Sequence, residues 1–209
     1  MLQLQIISLI HGVYMTAKEE FIKLFKNNIT RPGSDNLLNY LESSDFFTAP
    51  ASSRFHSNFE GGLCEHSVKV YKRFIKILEN EYGNNWQETV SLETATIIAL
   101  LHDVCKIDFY KTDYRNVKVD GQWVQKPYFS VSDNLPYGHG EKSVYIISGF
   151  IKLTREEAMA INWHMGAMDD RIKGGSYSLS PAFYNYPTCL LFHLADMQAT
   201  FLDEQIQDV

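Results

Sequence analysis

The sequence predicts a mainly α-helical fold, a single helical bundle with a small β-hairpin insertion around 115–131. Three observations lead there. Apolar residues recur at helical spacing along most of the chain, two capping boxes mark helix starts, and the period becomes that of a strand pair only around Asp120-Gly121. With 209 residues and 45% hydrophobic content the chain can bury a core of its own. It divides into an N-terminal helical extension over 1–53, packing on the core, and a main domain over 54–209.

Met1 to Ile10 is apolar, lacks preceding basic residues and is too short to span a bilayer, so it reads as a short strand, a short helix or an extension ahead of Met15. Thr16-Ala17-Lys18-Glu19 caps a helix that places Phe21, Leu24 and Phe25 on one face and runs to about Asn28, where Arg31-Pro32-Gly33-Ser34 stops it. A second short helix turns Leu37, Leu38 and Leu41 inward, and 46–59 is irregular. Gly61-Gly62-Leu63-Cys64-Glu65-His66-Ser67-Val68 then opens a long amphipathic helix through Tyr71, Ile75 and Leu78 to Gly83.

The helix begun at Ser91 carries Ile97, Ile98, Leu100 and Leu101 and delivers His102 and Asp103 near its C-terminal end. After the hairpin, Tyr137-Gly138-His139-Gly140-Glu141-Lys142-Ser143 leads into a helix through Tyr145, Ile146, Ile147 and Phe150. Thr154-Arg155-Glu156-Glu157 caps the next, which ends at His164 with Gly166 as its stop. The segment 167–186 reads as a long loop. Pro187 suits the first position of a last helix whose Leu190, Leu191, Leu194 and Met197 face the core, with Asp196 among or beside them.

A net charge of −6 offers no broad basic field for long nucleic acid. Small anionic substrates fit better, provided metal supplies the positive charge. Cys64, Cys105 and Cys189 are odd in number and far apart, unlike a zinc knuckle or a disulfide framework, and lead to the expectation of a cytoplasmic protein.

The chemistry gathers around Leu100-Leu101-His102-Asp103-Val104-Cys105-Lys106. A His-Asp pair at the end of an apolar run must be compensated by a divalent metal, a hydrogen-bonded partner or an ion pair with Lys106. His66, His102, His139 and His164 each lie at or near a helix end, and Asp103 and Asp196 are the acids closest to the same apolar context. Four nitrogens and two carboxylates suit one or two ions such as Mn, Fe, Co, Ni or Zn at roughly 2.0–2.2 Å per bond. Spacing alone leaves this reading level with that of hydrogen-bonded core histidines, because no pair forms a tight local motif such as His-Glu-x-x-His.

The order of His66 in its Gly-Gly-Leu-Cys-Glu-His-Ser context, the His102-Asp103 doublet and Asp196 resembles the HD-domain metal-dependent phosphohydrolase superfamily over roughly 54–200. The motifs, including His193-Leu194-Ala195-Asp196, have the flavour of HD domains attached to OB-folds in bacterial 3′–5′ exoribonucleases, although no OB-fold is recognisable here. The resemblance implies an HD-type bundle with one metal on His66, His102, Asp103 and Asp196. With His139 and His164 also present it implies a binuclear centre bridged by Asp103, with Mg admitted beside the transition metals.

It further implies hydrolysis of a phosphomonoester or phosphodiester of a nucleotide or short oligonucleotide by a metal-bound hydroxide, with Asp103 and Lys106 catalytic. Lys106, His56 and Lys142 are the candidate substrate contacts. Against these stand an ordinary ion pair for Lys106, a surface or supporting role for His56 and a solvated Lys142. The expected partner is a small phosphorylated compound, with neither long nucleic acid nor membrane. Two other readings stay open, a di-iron oxygenase using a similar six-ligand set and a non-catalytic nucleotide-sensing module.

Overall fold

The computed structural model describes residues 15–204, so the reading of Met1 to Ile10 falls outside the described residues. The first helix, α1 (Ala17–Asn28), opens on the expected capping box: Thr16 Oγ1 accepts from the Glu19 amide at 3.2 Å, and the Glu19 carboxylate accepts from the Thr16 amide at 2.8 Å. It buries Phe21 and Phe25, and α2 (Ser34–Ser43) buries Leu37, Leu38 and Leu41. Between them Arg31 binds both carboxylate oxygens of the fully buried Glu157 at 2.8 and 2.9 Å and also reaches Glu93 at 3.2 Å. This bidentate clasp ties the N-terminal helices to the bundle.

The long helix α3 (Gly62–Tyr82) packs against α1 and against α4 (Leu92–Leu101). A Cβ on Gly62 would meet the carbonyl oxygen of Ser57 at 2.0 Å, so the irregular 46–59 segment lies directly on the start of α3. In α4 every residue from Thr94 to Leu101 is buried, as befits a helix apolar on all sides at the centre of the bundle. The bundle is completed by α5 (His139–Ser148), α6 (Arg155–Asn162) and α9 (Pro187–Gln198), with α9 lying on α3 and α6.

Strands β1 (Tyr110–Val119) and β2 (Gln122–Val131) form an antiparallel ribbon about Asp120-Gly121, with Tyr110 opposite Val131 and Val119 opposite Gln122. The ribbon starts five residues earlier than the sequence suggested. Lys111 and Asp113 obscure the alternation there, yet the ladder continues down to a root where the Ser132 amide donates to the Phe109 carbonyl at 2.8 Å.

Two further expectations are corrected. The segment 167–186 is no loop: it contains α7 (Asp170–Lys173), capped by Asp169, and α8 (Leu179–Asn185). Both are too short to show periodicity, and Pro181 in the first turn of α8 is tolerated where its missing amide has no partner to lose. In α9, Leu190 and Leu194 are exposed. The inward face runs through Thr188, Cys189, Phe192, Ala195 and Asp196, because the turns that bring Asp196 inside also bring Phe192 and Cys189. Among the described residues no helix is long and apolar enough to cross a membrane.

Candidate metal centre

The chain leaves α4 at Leu101 and turns through His102 and Asp103 into a short 3-10 turn (Val104–Lys106), so both side chains emerge from an apolar rod into the bundle interior. The His102 ring packs against Phe192 at 5.3 Å between centroids. His66 lies in the first turns of α3, His139 begins α5 and Asp196 comes from α9. His164 sits just beyond α6, which ends at Asn162 instead of at His164 because Trp163 leaves helical geometry. A Cβ on Gly140 would lie 2.3 Å from the Asn162 carbonyl oxygen, so α5 and α6 meet backbone to backbone and His139 stands beside His164.

The six residues singled out from the sequence therefore share one place. His66, His102, Asp103 and His164 are at most 2% exposed, Asp196 8%, and only His139 is partly open to solvent. The Asp103 carboxylate divides its two oxygens. Oδ2 faces His66 Nε2 at 3.5 Å and His102 Nε2 at 3.4 Å, while Oδ1 faces His139 Nε2 at 2.8 Å and His164 Nε2 at 3.4 Å. Asp196 Oδ1 is 3.3 Å from His66 Nε2.

Hydrogen bonds on the far sides of the rings fix which nitrogens point inward. His66 Nδ1 donates to the Glu204 carboxylate at 2.6 Å, His102 Nδ1 to the Ala99 carbonyl at 3.0 Å, and His164 Nδ1 to the Ile161 carbonyl at 2.7 Å. These acceptors hold the Nδ1 protons, which turns each Nε2 inward as the atom that a cation would take. His164 Nε2 is buried without a hydrogen-bond partner. Inward nitrogens beside two buried carboxylates call for positive charge, supplied by protons or by a metal ion, and imidazole nitrogens with carboxylate oxygens are the donor set that borderline divalent metals take. Among the described residues four overlapping groups have ligand atoms within 4.8 Å of one another: His66-His102-Asp103, His102-His164-Asp196 and Asp103-His139-His164 within the six, and His56-His66-Glu204 behind His66. The residues fit a metal.

The electrostatics of the metal-free cluster divide its members. Burial alone would raise Asp103, but Lys106 and His102 hold its carboxyl well below the usual range. Burial would likewise raise Asp196, yet His66 keeps it low. His102 and His139 are pushed down by burial, only partly opposed by Asp103. For His66, burial is outweighed by the Asp196 and Glu204 carboxylates, which raise it to about 9, and for His164 by Asp103, so without a metal these two rings hold protons that a bound cation would displace.

A cavity of about 400 Å³ opens beside the centre, with His139, Lys106, Phe109, Lys142, Asp169 and Arg171 in its wall. Lys106 Nζ sits on Asp103 Oδ2 at 2.6 Å, the ion pair that the sequence held open. Lys142 is buried, its Nζ 2.7 Å from Asp133 and 5.0 Å above the Phe109 ring. Arg171 binds Asp169 at 2.7 Å and lies 4.0 Å over the Trp163 ring. His193 Nδ1 donates to the His164 carbonyl at 2.6 Å and so supports that turn.

His56 does not line the cavity. It stands behind His66, its Nδ1 2.7 Å from Glu204. Arg115, Lys118, Tyr114 and Trp123 belong to the ribbon and do not line the cavity either. The sequence reading missed Glu204, which lies 138 residues from His66 and belongs to no motif; it set Arg171 in a loop that overhangs the pocket, as a solvated cation by default, and missed Asp169, which fixes it in the wall.

Comparison with curated proteins and with solved structures returned no match. A family model does match, that of the HD domain, over residues 63–197, the stretch that contains all six converging side chains. This chain belongs to the HD-domain superfamily of metal-dependent phosphohydrolases.

Proposed function

We propose that the chain hydrolyses a phosphomonoester or phosphodiester of a nucleotide or short oligonucleotide at a binuclear centre formed by His66, His102, Asp103, His139, His164 and Asp196. The observation that carries this reading is the divided carboxylate of Asp103, one oxygen toward His66 and His102 and the other toward His139 and His164, as a bridging ligand requires. Bound Mn, Fe, Co, Ni, Zn or Mg would neutralise phosphoryl oxygens and acidify a coordinated water.

The remaining work falls to side chains of the cavity wall. Lys106 uses one N–H on Asp103 and has two more to offer a phosphate oxygen. Lys142, held by Asp133 over Phe109, presents a second cation that is already oriented. Because Arg171 is occupied by Asp169 and Glu141, the wall offers little unpaired positive charge, and the pull on an anionic substrate comes mainly from the centre. The cavity of about 400 Å³ falls within the roughly 300–1,000 Å³ usual for small-molecule sites, which favours a compact substrate over a long polymer.

Elemental analysis of the purified protein, followed by a screen of nucleotides, short oligonucleotides and p-nitrophenyl phosphoesters with each ion, tests the proposal. One or two ions per chain with phosphoester hydrolysis is the expected result. Two irons with O₂ consumption and no hydrolysis would overturn it in favour of the oxygenase reading, and nucleotide binding without turnover would overturn it in favour of a sensing module.

A further inference from the structure

We propose that Glu204, beyond the matched domain, is a positioning residue of the centre that acts through His66, and that Ser57 and His56 hold it in place. Its affinity test rests on the metal-centre reading above; its spectroscopic test does not. The Glu204 carboxylate is fully buried. Oε1 accepts from His66 Nδ1 at 2.6 Å, while Oε2 accepts from Ser57 Oγ at 2.7 Å and from His56 Nδ1 at 2.7 Å. A carboxylate in this pocket can only accept, so His66 Nδ1 carries a proton and the ring is held with Nε2 turned toward Asp103, Asp196 and His102 as the atom left to bind a cation.

His66 is oriented differently from its neighbours. His102 and His164 are held by carbonyls three residues earlier in the chain, Ala99 and Ile161. A side chain from the far end of the chain does this for His66, and it does so with full negative charge, which makes the ring a stronger donor to a cation. The surroundings deliver that carboxylate. A π-turn (Ala199–Asp203) follows α9, Asp203 grips Arg73 of α3 at 2.6 Å from its Nε, and Glu204 comes next. From the other side, the close approach of Gly62 to the Ser57 carbonyl seats Ser57 under the carboxylate. The segments on either side of the matched 63–197 thus meet on one ligand of the centre.

The test compares the full chain with Glu204→Leu and Glu204→Gln. In metal-free, ¹⁵N-histidine-labelled protein at pH 10, where the ring is neutral, long-range ¹H–¹⁵N spectra should show His66 as the Nδ1–H tautomer in the parent and in the Gln variant, whose amide oxygen still accepts. In the Leu variant the ring should take the Nε2–H tautomer. Titration with Mn²⁺ alone should show about 10- to 100-fold weaker binding for the Leu variant and a smaller, several-fold loss for Gln.

A folded Leu variant that keeps Nδ1 protonated and binds Mn²⁺ within two-fold of the parent overturns the proposal. Loss of one whole ion with the other unaffected overturns it too, since Glu204 would then be a ligand alongside His56. If the Leu variant does not fold, the Gln variant decides, and unchanged Mn²⁺ affinity there counts against the role. A parent that binds no divalent ion defeats the metal reading, while the spectra still judge the tautomer.

Discussion

The Nε2 atoms of His66 and His102 face each other across 3.2 Å although each ring has given its Nδ1 proton to another acceptor. Without a metal, a proton on His66 Nε2 has to lie between the two nitrogens in this buried site, and a bound cation takes its place while satisfying more of the surrounding donors. Chelation with EDTA should therefore lower the Tm, and adding Mn²⁺ or Zn²⁺ should restore it with a concentration dependence. The stabilisation expected is about 2.7 kcal/mol at an ion concentration 100 times the Kd. Thermal denaturation against metal concentration measures it, and a Tm indifferent to both treatments would count against the centre.

Asp103→Ala removes the carboxylate that both halves of the cluster share. It should abolish metal retention and hydrolysis together, and by leaving Lys106 buried without its partner it should cost the metal-free protein on the order of 3–5 kcal/mol. Elemental analysis, a phosphoester assay and urea denaturation read the three effects. Full activity in this variant refutes the assignment.

Lys106→Ala separates the ion-pair role from the substrate role. The cluster keeps all its nitrogen and oxygen donors, so metal content should stay at the parental level while turnover slows about 10- to 100-fold, in the range of a lost charge-assisted contact to a phosphate oxygen. Metal loss equal to that of the Asp103 variant would reduce Lys106 to a structural partner of Asp103.

The three thiols provide a pH-dependent test. Burial pushes Cys64, Cys105 and Cys189 up to about 12, above the usual thiol value near 9. Well below pH 9 folded and unfolded chains both keep them protonated, so they leave stability unchanged. As pH rises from 9 towards 12 the unfolded chain ionises first, and stability declines. A thiol reagent at pH 8 should find no reactive cysteine in the native protein and three after denaturation in guanidinium. Rapid labelling of native Cys105, which touches the cavity, would contradict its burial.

Much of this arrangement was legible in the sequence because it is written in local patterns. Thr16 and Thr154 announced their helices through capping boxes, Asp120-Gly121 announced the hairpin, and the unbroken apolar run before His102 announced a buried helix. The six converging residues could be named because each stands at or near a helix end and their order follows a family motif. What escaped lies in long-range contacts between residues ordinary in their own context. Glu204 reads as one acid in a polar tail until the fold sets it against His66, and Arg171 reads as a solvated cation until Trp163 and Asp169 close around it. The outward turn of Leu190 and Leu194 follows the same logic, since a single inward carboxylate, Asp196, fixes which face of α9 the core receives.

The ribbon of β1 and β2 packs chiefly strand against strand, and its outer parts, Tyr114 and Trp123 among them, stand largely in solvent. Only its root, at Phe109, reaches the cavity. A two-stranded ribbon anchored this way behaves as a cantilever: residues near Asp120 can be exchanged, added or removed without disturbing the packing of the histidines. The chain thereby keeps apart a portion that is free to diversify and a portion in which nearly every atom is spoken for.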